Sequence, residues 1–220
     1  MVVWQEIDTV LLDMDGTLLD LHFDNFFWRE YLPARWGEIN NLDLTASKQE
    51  LMPRIENHVG TLSWYCVDFW SEELDIDIMG LKNDIEHLIQ IRPHTENFLE
   101  FLQQLDKKIV MVTNAHEKLL DMKMKKTRID RFFHEMYTAH SLGAPKEDHE
   151  FWVRLSNRLD FNPEKTVFID DNLAVLRTAR SYGIRHLLTI AQPDSRRTDK
   201  DTGEFEAVHS FMQLIQPVNG

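Results

Sequence analysis

The sequence predicts an α/β fold, a doubly wound parallel sheet carrying a helical insertion, and three features predict it. Five short apolar runs, at 9–13, 109–113, 135–138, 166–170 and 186–190, lack the polar alternation of a half-exposed strand. Strands apolar on both faces belong to parallel sheets covered by helices on both sides. Helical patterns separate the later runs, and strand–helix alternation is the signature of a doubly wound sheet. The third feature is a gap of about 90 residues between the first two runs, far longer than a normal crossover.

Taken in order, the first run (TVLLD) predicts a strand delivering Asp13 at its C-terminal end. Residues 22–90 then carry helical patterns at 23–31, 47–58 and 81–90, broken by Gly37, Pro53, Gly60 and Gly80. This stretch is expected to form a helical cap domain above the C-terminal edge of the sheet. Arg92-Pro93 marks the return to the core, because proline restricts its own φ and that of its predecessor. The catalytic core therefore comprises 1–21 and 91–220. Within it, 96–105 places Phe98, Leu99, Leu102 and Leu105 on one helical stripe, 173–182 does the same with Leu173, Leu176 and Ala179, and Gly183 ends that helix.

Composition narrows the function. The 220 residues are 43% hydrophobic, enough for a substantial core, and the formal net charge is −13. Such a surface lacks the cationic footprint that supplies non-specific nucleic-acid affinity, so nucleic acid and anionic membrane are poor partners. Small anions remain open, since a metal ion or one lysine can reverse the field within a pocket. Cys66 is the single cysteine, which excludes an intramolecular disulfide and C-x-x-C patterns. With no apolar run near the length of a membrane span and no secretory signal at the start, a cytoplasmic protein is expected. No protein partner is implied.

Three strand ends carry chemistry-bearing residues, where open α/β sheets place their ligand crevice. They are Asp13 and Asp15 of DMDGT, Thr113-Asn114, and Asp170-Asp171; Lys146, before a helix at 148–159, adds a cation. Carboxylates from two strand ends supply the hard oxygens Mg²⁺ prefers. A remaining aspartate can serve as nucleophile, and Thr, Asn and Lys can hold the oxygens of a transferring phosphoryl group. Any one motif alone could be a helix cap or surface turn. Their register is what carries weight.

DMDGTLLD, VTNA, the lysine of GAPKEDHEFW and FIDDN, in that order, resemble the haloacid dehalogenase superfamily with a Rossmann-like core and helical cap. The resemblance implies that Asp13 attacks phosphorus and that Asp15 protonates the leaving oxygen, then activates water. It implies that Thr113 and Asn114 bind the phosphoryl group, and that Lys146 neutralises it and steadies Asp13. It also implies Mg²⁺ held by Asp13, the Asp15 carbonyl and Asp171, with Asp170 acting through water or Lys146. Glu147 departs from the proline that usually follows this lysine. An acid at Asp15 argues for phosphate chemistry over dehalogenation, because an alkoxide leaving group needs a proton. A phosphonatase would need a Schiff-base lysine, which helix 23–31 lacks.

The stretches DMDGTLLDLHFDNFFWREYLP and KMKKTRIDRFFHEMYTAHSLGAPKEDHEFW resemble the bacterial GMP/IMP nucleotidase group, implying hydrolysis of purine 5′-monophosphates. A sugar-phosphate phosphatase or phosphomutase is the alternative enzyme, and a non-catalytic phospho-ligand-binding regulator the alternative of another class. The aromatic residues of 22–90 are read first as core packing and second as a platform for a base. The six basic residues of 118–131 are read as a solvated helix face, and 194–203 as an exposed loop that does not touch substrate. The ten histidines show no metal-ligand spacing, alone or with the cysteine, and are read as surface or core polar residues.

Overall fold

A computed structural model describes residues 2–215. Its centre is a six-stranded, all-parallel sheet of order β3-β2-β1-β4-β5-β6. The strands are β1 (Thr9–Leu12), β2 (Lys108–Thr113), β3 (Glu135–Thr138), β4 (Thr166–Asp170), β5 (His186–Ile190) and β6 (Glu206–Val208). Five of these match the apolar runs. The sixth, Glu-Ala-Val, is too short and polar to announce itself.

Alternation along the central strands explains their unbroken apolar sequence. Val10, Leu12, Ile109, Met111, Val167 and Ile169 enter one hydrophobic cluster; Leu11, Val110, Val112 and Phe168 enter another across the sheet. The first face is covered by α6 (Thr95–Gln104) and α7 (Glu117–Thr127). The second is covered by α9 (His149–Ser156) and α10 (Leu173–Tyr182), with Gly183 ending α10 at a φ of +116°.

Between β1 and α6 the chain is helical. It forms α1 (His22–Phe26), a π turn (Phe27–Tyr31), α2 (Leu32–Asn40), α3 (Leu44–Glu56), α4 (Val67–Leu74) and α5 (Ile78–Asp84). The expected breaks need correction. Gly37, Pro53 and Gly80 lie inside helices, and only Gly60 occupies a turn, at φ +78°. Gly37 serves packing, because a Cβ there would meet Leu42 O and Ser47 Cβ at 3.0 Å, where α2 and α3 cross. The pattern at 81–90 is divided between α5 and a short 3₁₀ turn, Glu86–Leu88. Two adjacent strands of chain connect this segment to the sheet: Leu19 bridges Ile91, Asp20 N–H donates to Gln90 O, and Arg92 N–H to Leu18 O. Among the described residues no helix is long and apolar enough to cross a membrane.

Candidate active site

β1 lies between β2 and β4 with Leu12 level with Met111 and Ile169, so Asp13 emerges flanked by both neighbouring strand ends. Its N–H still donates to Ile169 O at 3.0 Å. The chain then turns at Gly16, whose φ is +86° and where a Cβ would stand 2.7 Å from Asp171 Cγ. Glycine meets both demands because it tolerates positive φ and carries no Cβ. The same cavity, about 550 Å³, is lined by Asp13, Asp15, Thr113, Asn114, Lys146, Asp170 and Asp171. These are the seven residues singled out by sequence.

Lys146 organises the cavity floor. Its ammonium donates to Asp13 Oδ1 at 2.5 Å, Asp170 Oδ2 at 2.6 Å and Val112 O at 3.1 Å, using all three protons. Asp13 Oδ2 is left buried with no hydrogen-bond partner. Asp170 is fully engaged, its Oδ1 accepting from Asn172 N–H at 2.7 Å, whereas Asp171 takes part in none of these bonds. Thr113 Oγ1 accepts from Ala115 N–H at 3.0 Å, which leaves its proton free to donate. Asn114 Oδ1 accepts from Lys146 N–H at 2.8 Å, fixing its amide so that Nδ2 is the end left to donate.

Sequence reasoning missed a second ionic chain. Lys123, read as part of a solvated face, is buried on α7 and donates to Asp15 Oδ1 at 2.5 Å and Asp24 Oδ2 at 2.6 Å. Asp24 also accepts from the buried Lys82 of α5 at 3.0 Å, so a Lys82–Asp24–Lys123–Asp15 relay crosses from the helical segment to Asp15. Lys118, Lys125, Lys126, Arg128 and Arg131 are exposed as expected. Leu119 and Leu120 stand four and three residues before Lys123, so helical spacing places it on their buried face.

Glu147 ties together three residues that line the same cavity. It accepts from Tyr65 Oη at 2.5 Å, Asn114 Nδ2 at 2.9 Å and Asn172 Nδ2 at 3.3 Å. The departure from the family's proline thus supplies a contact between the helical segment and the sheet. The loop at 194–203 is only partly exposed: Asp194 is buried and accepts from Asn25 Nδ2 at 2.7 Å, and Lys200 lines the cavity. The aromatic residues divide. Phe23, Phe27 and Trp70 are core, whereas Trp28, Trp64 and Tyr65 line the cavity, the two indoles near-parallel at 17° with centroids 6.4 Å apart. The histidines also need correction, since the fold brings His116 and His140 beside Cys66.

The charge balance suits a divalent cation. Asp13, Asp170 and Asp171 each offer an oxygen within 4.8 Å of the others, and one lysine against three carboxylates leaves two negative charges. Burial pushes Asp13 up to about 6, against Lys146 and helped by Asp170. Burial likewise raises Asp15 to about 6 against Lys123, Asp170 to about 6, and Asp171 to about 7 with help from Asp13. Burial alone would lower Lys146, but Asp13 and Asp170 outweigh it and raise its pKa, so it stays charged. The Asp13 carboxylate and Asp171, which none of these bonds commits, are the ligands such an ion would take.

These shifts predict a stability profile. Four carboxylates hold protons in the metal-free folded state to about pH 6–7 but lose them near 3.8 when unfolded. Their stabilising contribution is therefore full below pH 3.8 and lost as pH rises through 6–7. His140, lowered by burial, acts oppositely but is one group against four. Thermal melts in EDTA should show Tm falling between pH 5 and 7.5, and a divalent cation should restore it at the upper end. A flat profile without metal would show that these carboxylates are already neutralised.

The profile of the haloacid dehalogenase-like hydrolase family matches residues 7–183. The chain is 36% identical over 214 residues to the GMP/IMP nucleotidase YrfG of Escherichia coli (strain K12), covering 97% of this chain and 96% of that protein. It is 23% identical over 200 residues to the phosphorylated carbohydrates phosphatase of Thermotoga maritima, covering 82% of this chain and 84% of that protein. Among solved structures, the HAD phosphatase of Thermococcus onnurineus superposes with a TM-score of 0.79 at 21% identity, over 94% of this chain and 96% of that one. With the family profile spanning most of its length and its motifs gathered in one cavity, the chain belongs to the haloacid dehalogenase-like hydrolases.

Proposed function

We propose that this enzyme hydrolyses purine nucleoside 5′-monophosphates through a phospho-aspartate on Asp13, with Mg²⁺ as its metal. The observation that carries the covalent mechanism is the asymmetry of Asp13: Oδ1 is fixed by Lys146, while buried Oδ2 has no partner and is free to attack phosphorus. The Thr113 hydroxyl and the second Nδ2 proton of Asn114 donate to the phosphoryl oxygens, and Lys146 offsets charge beneath them. Asp15, raised to about 6, carries a proton to the leaving oxygen more readily near that pH than an ordinary aspartate would, and afterwards takes one from the water that cleaves the acyl phosphate. Asp13, the Asp15 carbonyl and Asp171 would hold Mg²⁺, with Asp170 acting through a water or by fixing Lys146. When bound, the ion neutralises charge on the transferring group and on the aspartates around it.

The helical segment 22–90 acts as a cap in this reading, and its cavity-facing residues set substrate choice. Trp28 and Trp64 present near-parallel indoles to the cavity, suited to a planar base, and a stacked base is worth about 1–3 kcal/mol. The similarity to the E. coli GMP/IMP nucleotidase supports the same choice. Remote binding energy that favours closure should raise kcat as well as affinity. GMP or IMP is therefore expected to exceed ribose 5-phosphate in kcat/KM by at least about tenfold, roughly 1.4 kcal/mol. Steady-state phosphate release with GMP, IMP, UMP, ribose 5-phosphate and glucose 6-phosphate at saturating Mg²⁺ decides it. If the sugar phosphates match the purines, the base-recognition reading falls and the phosphatase reading survives.

A further inference from the structure

We propose a second metal site, for a soft divalent ion best matched by Zn²⁺, formed by Cys66, His116 and His140 and tying the helical segment to the sheet core. One ligand atom from each of these side chains lies within 4.8 Å of the other two. None of the three lines the catalytic cavity, so the cluster is separate from the aspartate site. Thiolate plus two imidazoles is a soft, nitrogen–sulfur donor set that selects zinc-like ions over Mg²⁺. A tetrahedral ion with Zn–S near 2.3 Å and Zn–N near 2.0–2.1 Å needs ligand atoms less than about 4 Å apart, so small side-chain rotations complete the site.

Each ligand is poised in a way that packing alone does not explain. Neither ring nitrogen of His140 has a hydrogen-bond partner, although both are buried, and an imidazole left so carries an unsatisfied donor and acceptor. Cys66 Sγ accepts from Phe69 N–H at 3.4 Å, a bond that a thiolate keeps when it ligates a metal. His116 Nδ1 accepts only a long bond from Lys118 N–H, at 3.3 Å, while Nε2 sits 3.7 Å from Asp68 Oδ2 and 3.8 Å from Glu117 Oε2. A metal taken at Nδ1 leaves Nε2–H to those carboxylates, which orient ligating histidines in many sites. Cys66 caps α4 in the helical segment, whereas His116 caps α7 and His140 lies in α8 (Ala139–Leu142), so an ion joins two parts of the fold. Tyr65 and Asn114, near neighbours of these ligands in the chain, meet through Glu147 at the cavity wall, so occupancy holds the cavity-lining aromatic residues against the sheet.

The single cysteine makes the test specific. The full chain, stripped with EDTA and returned to saturating Mg²⁺ to fill the aspartate site, is titrated with Co²⁺ and followed by absorption. One equivalent should produce a near-ultraviolet sulfur-to-cobalt charge-transfer band with tetrahedral visible bands, and Zn²⁺ should bleach both. Cys66→Ser should abolish the charge-transfer band, and His140→Ala or, if that variant folds poorly, His140→Gln should weaken Co²⁺ binding at least about a hundredfold, at or beyond the loss seen when only an outer-shell partner is removed. Asp171→Asn should leave the band intact. The proposal is overturned if wild type shows no thiolate band, or if the band survives loss of the His140 imidazole at unchanged affinity.

Discussion

Asp13→Asn is expected to reduce kcat by at least about a thousandfold, because losing a nucleophile commonly removes several orders of magnitude of rate. The amide is the same size and its oxygen can still accept from Lys146, so the fold should persist. The substitution also removes a carboxylate that burial holds above its ordinary pKa and whose charge helps to raise Asp171. The metal-free Asp13→Asn protein should therefore melt at or above the wild-type temperature at pH 7.5 while being inactive. Single-turnover phosphate release beside thermal melts separates the two effects. More than about a hundredth of wild-type kcat remaining would contradict a nucleophilic role.

Lys146→Met carries the next largest effect, and it strikes stability as well as rate. The ammonium is buried between Asp13 and Asp170 and is the nearest cation to both. Removing one partner of a buried ionic cluster typically costs about 3–5 kcal/mol, since the charges left behind lose their compensation. Without metal at pH 7.5 the variant should be destabilised by about 3 kcal/mol, and the deficit should shrink as pH falls below 6 and the carboxylates take up protons. Turnover should be lost even where Mg²⁺ restores the fold, because the Lys146 ammonium also positions Asp13 Oδ1. Urea unfolding at pH 5.5 and 7.5, with and without Mg²⁺, checks the linkage. A pH-independent deficit would mean that the cost arises from packing alone.

The strands and the aspartates were legible for the same physical reason. A strand buried on both faces must be apolar throughout, so Asp13, Thr113 and Asp170 stand out as the first polar residues where each run stops. What stayed hidden was placed by tertiary contacts. Lys123 sits among exposed basic residues, and its burial on the relay shows only in its helical spacing from Leu119 and Leu120. Cys66, His116 and His140 are far apart in sequence and meet only when the helical segment lies against the sheet, which no local spacing reports. Lys200 reaches the cavity from a polar loop whose composition resembles any exposed loop. Strand β6 is three residues long and gains its place by pairing with β5. Glu147 was visible only as a departure from the family's proline; its bonds to Tyr65 and Asn114 give that departure a structural purpose.

The central claim is a covalent phosphoryl–Asp13 linkage. The most direct measurement is acid quench of the enzyme during turnover of GMP, reduction with borohydride and peptide mass spectrometry. An acyl phosphate is reduced to an alcohol, so the account predicts homoserine at position 13, dependent on substrate and Mg²⁺ and absent from the Asp13→Asn protein. Homoserine at another aspartate, or none at any position while phosphate is released, would contradict it.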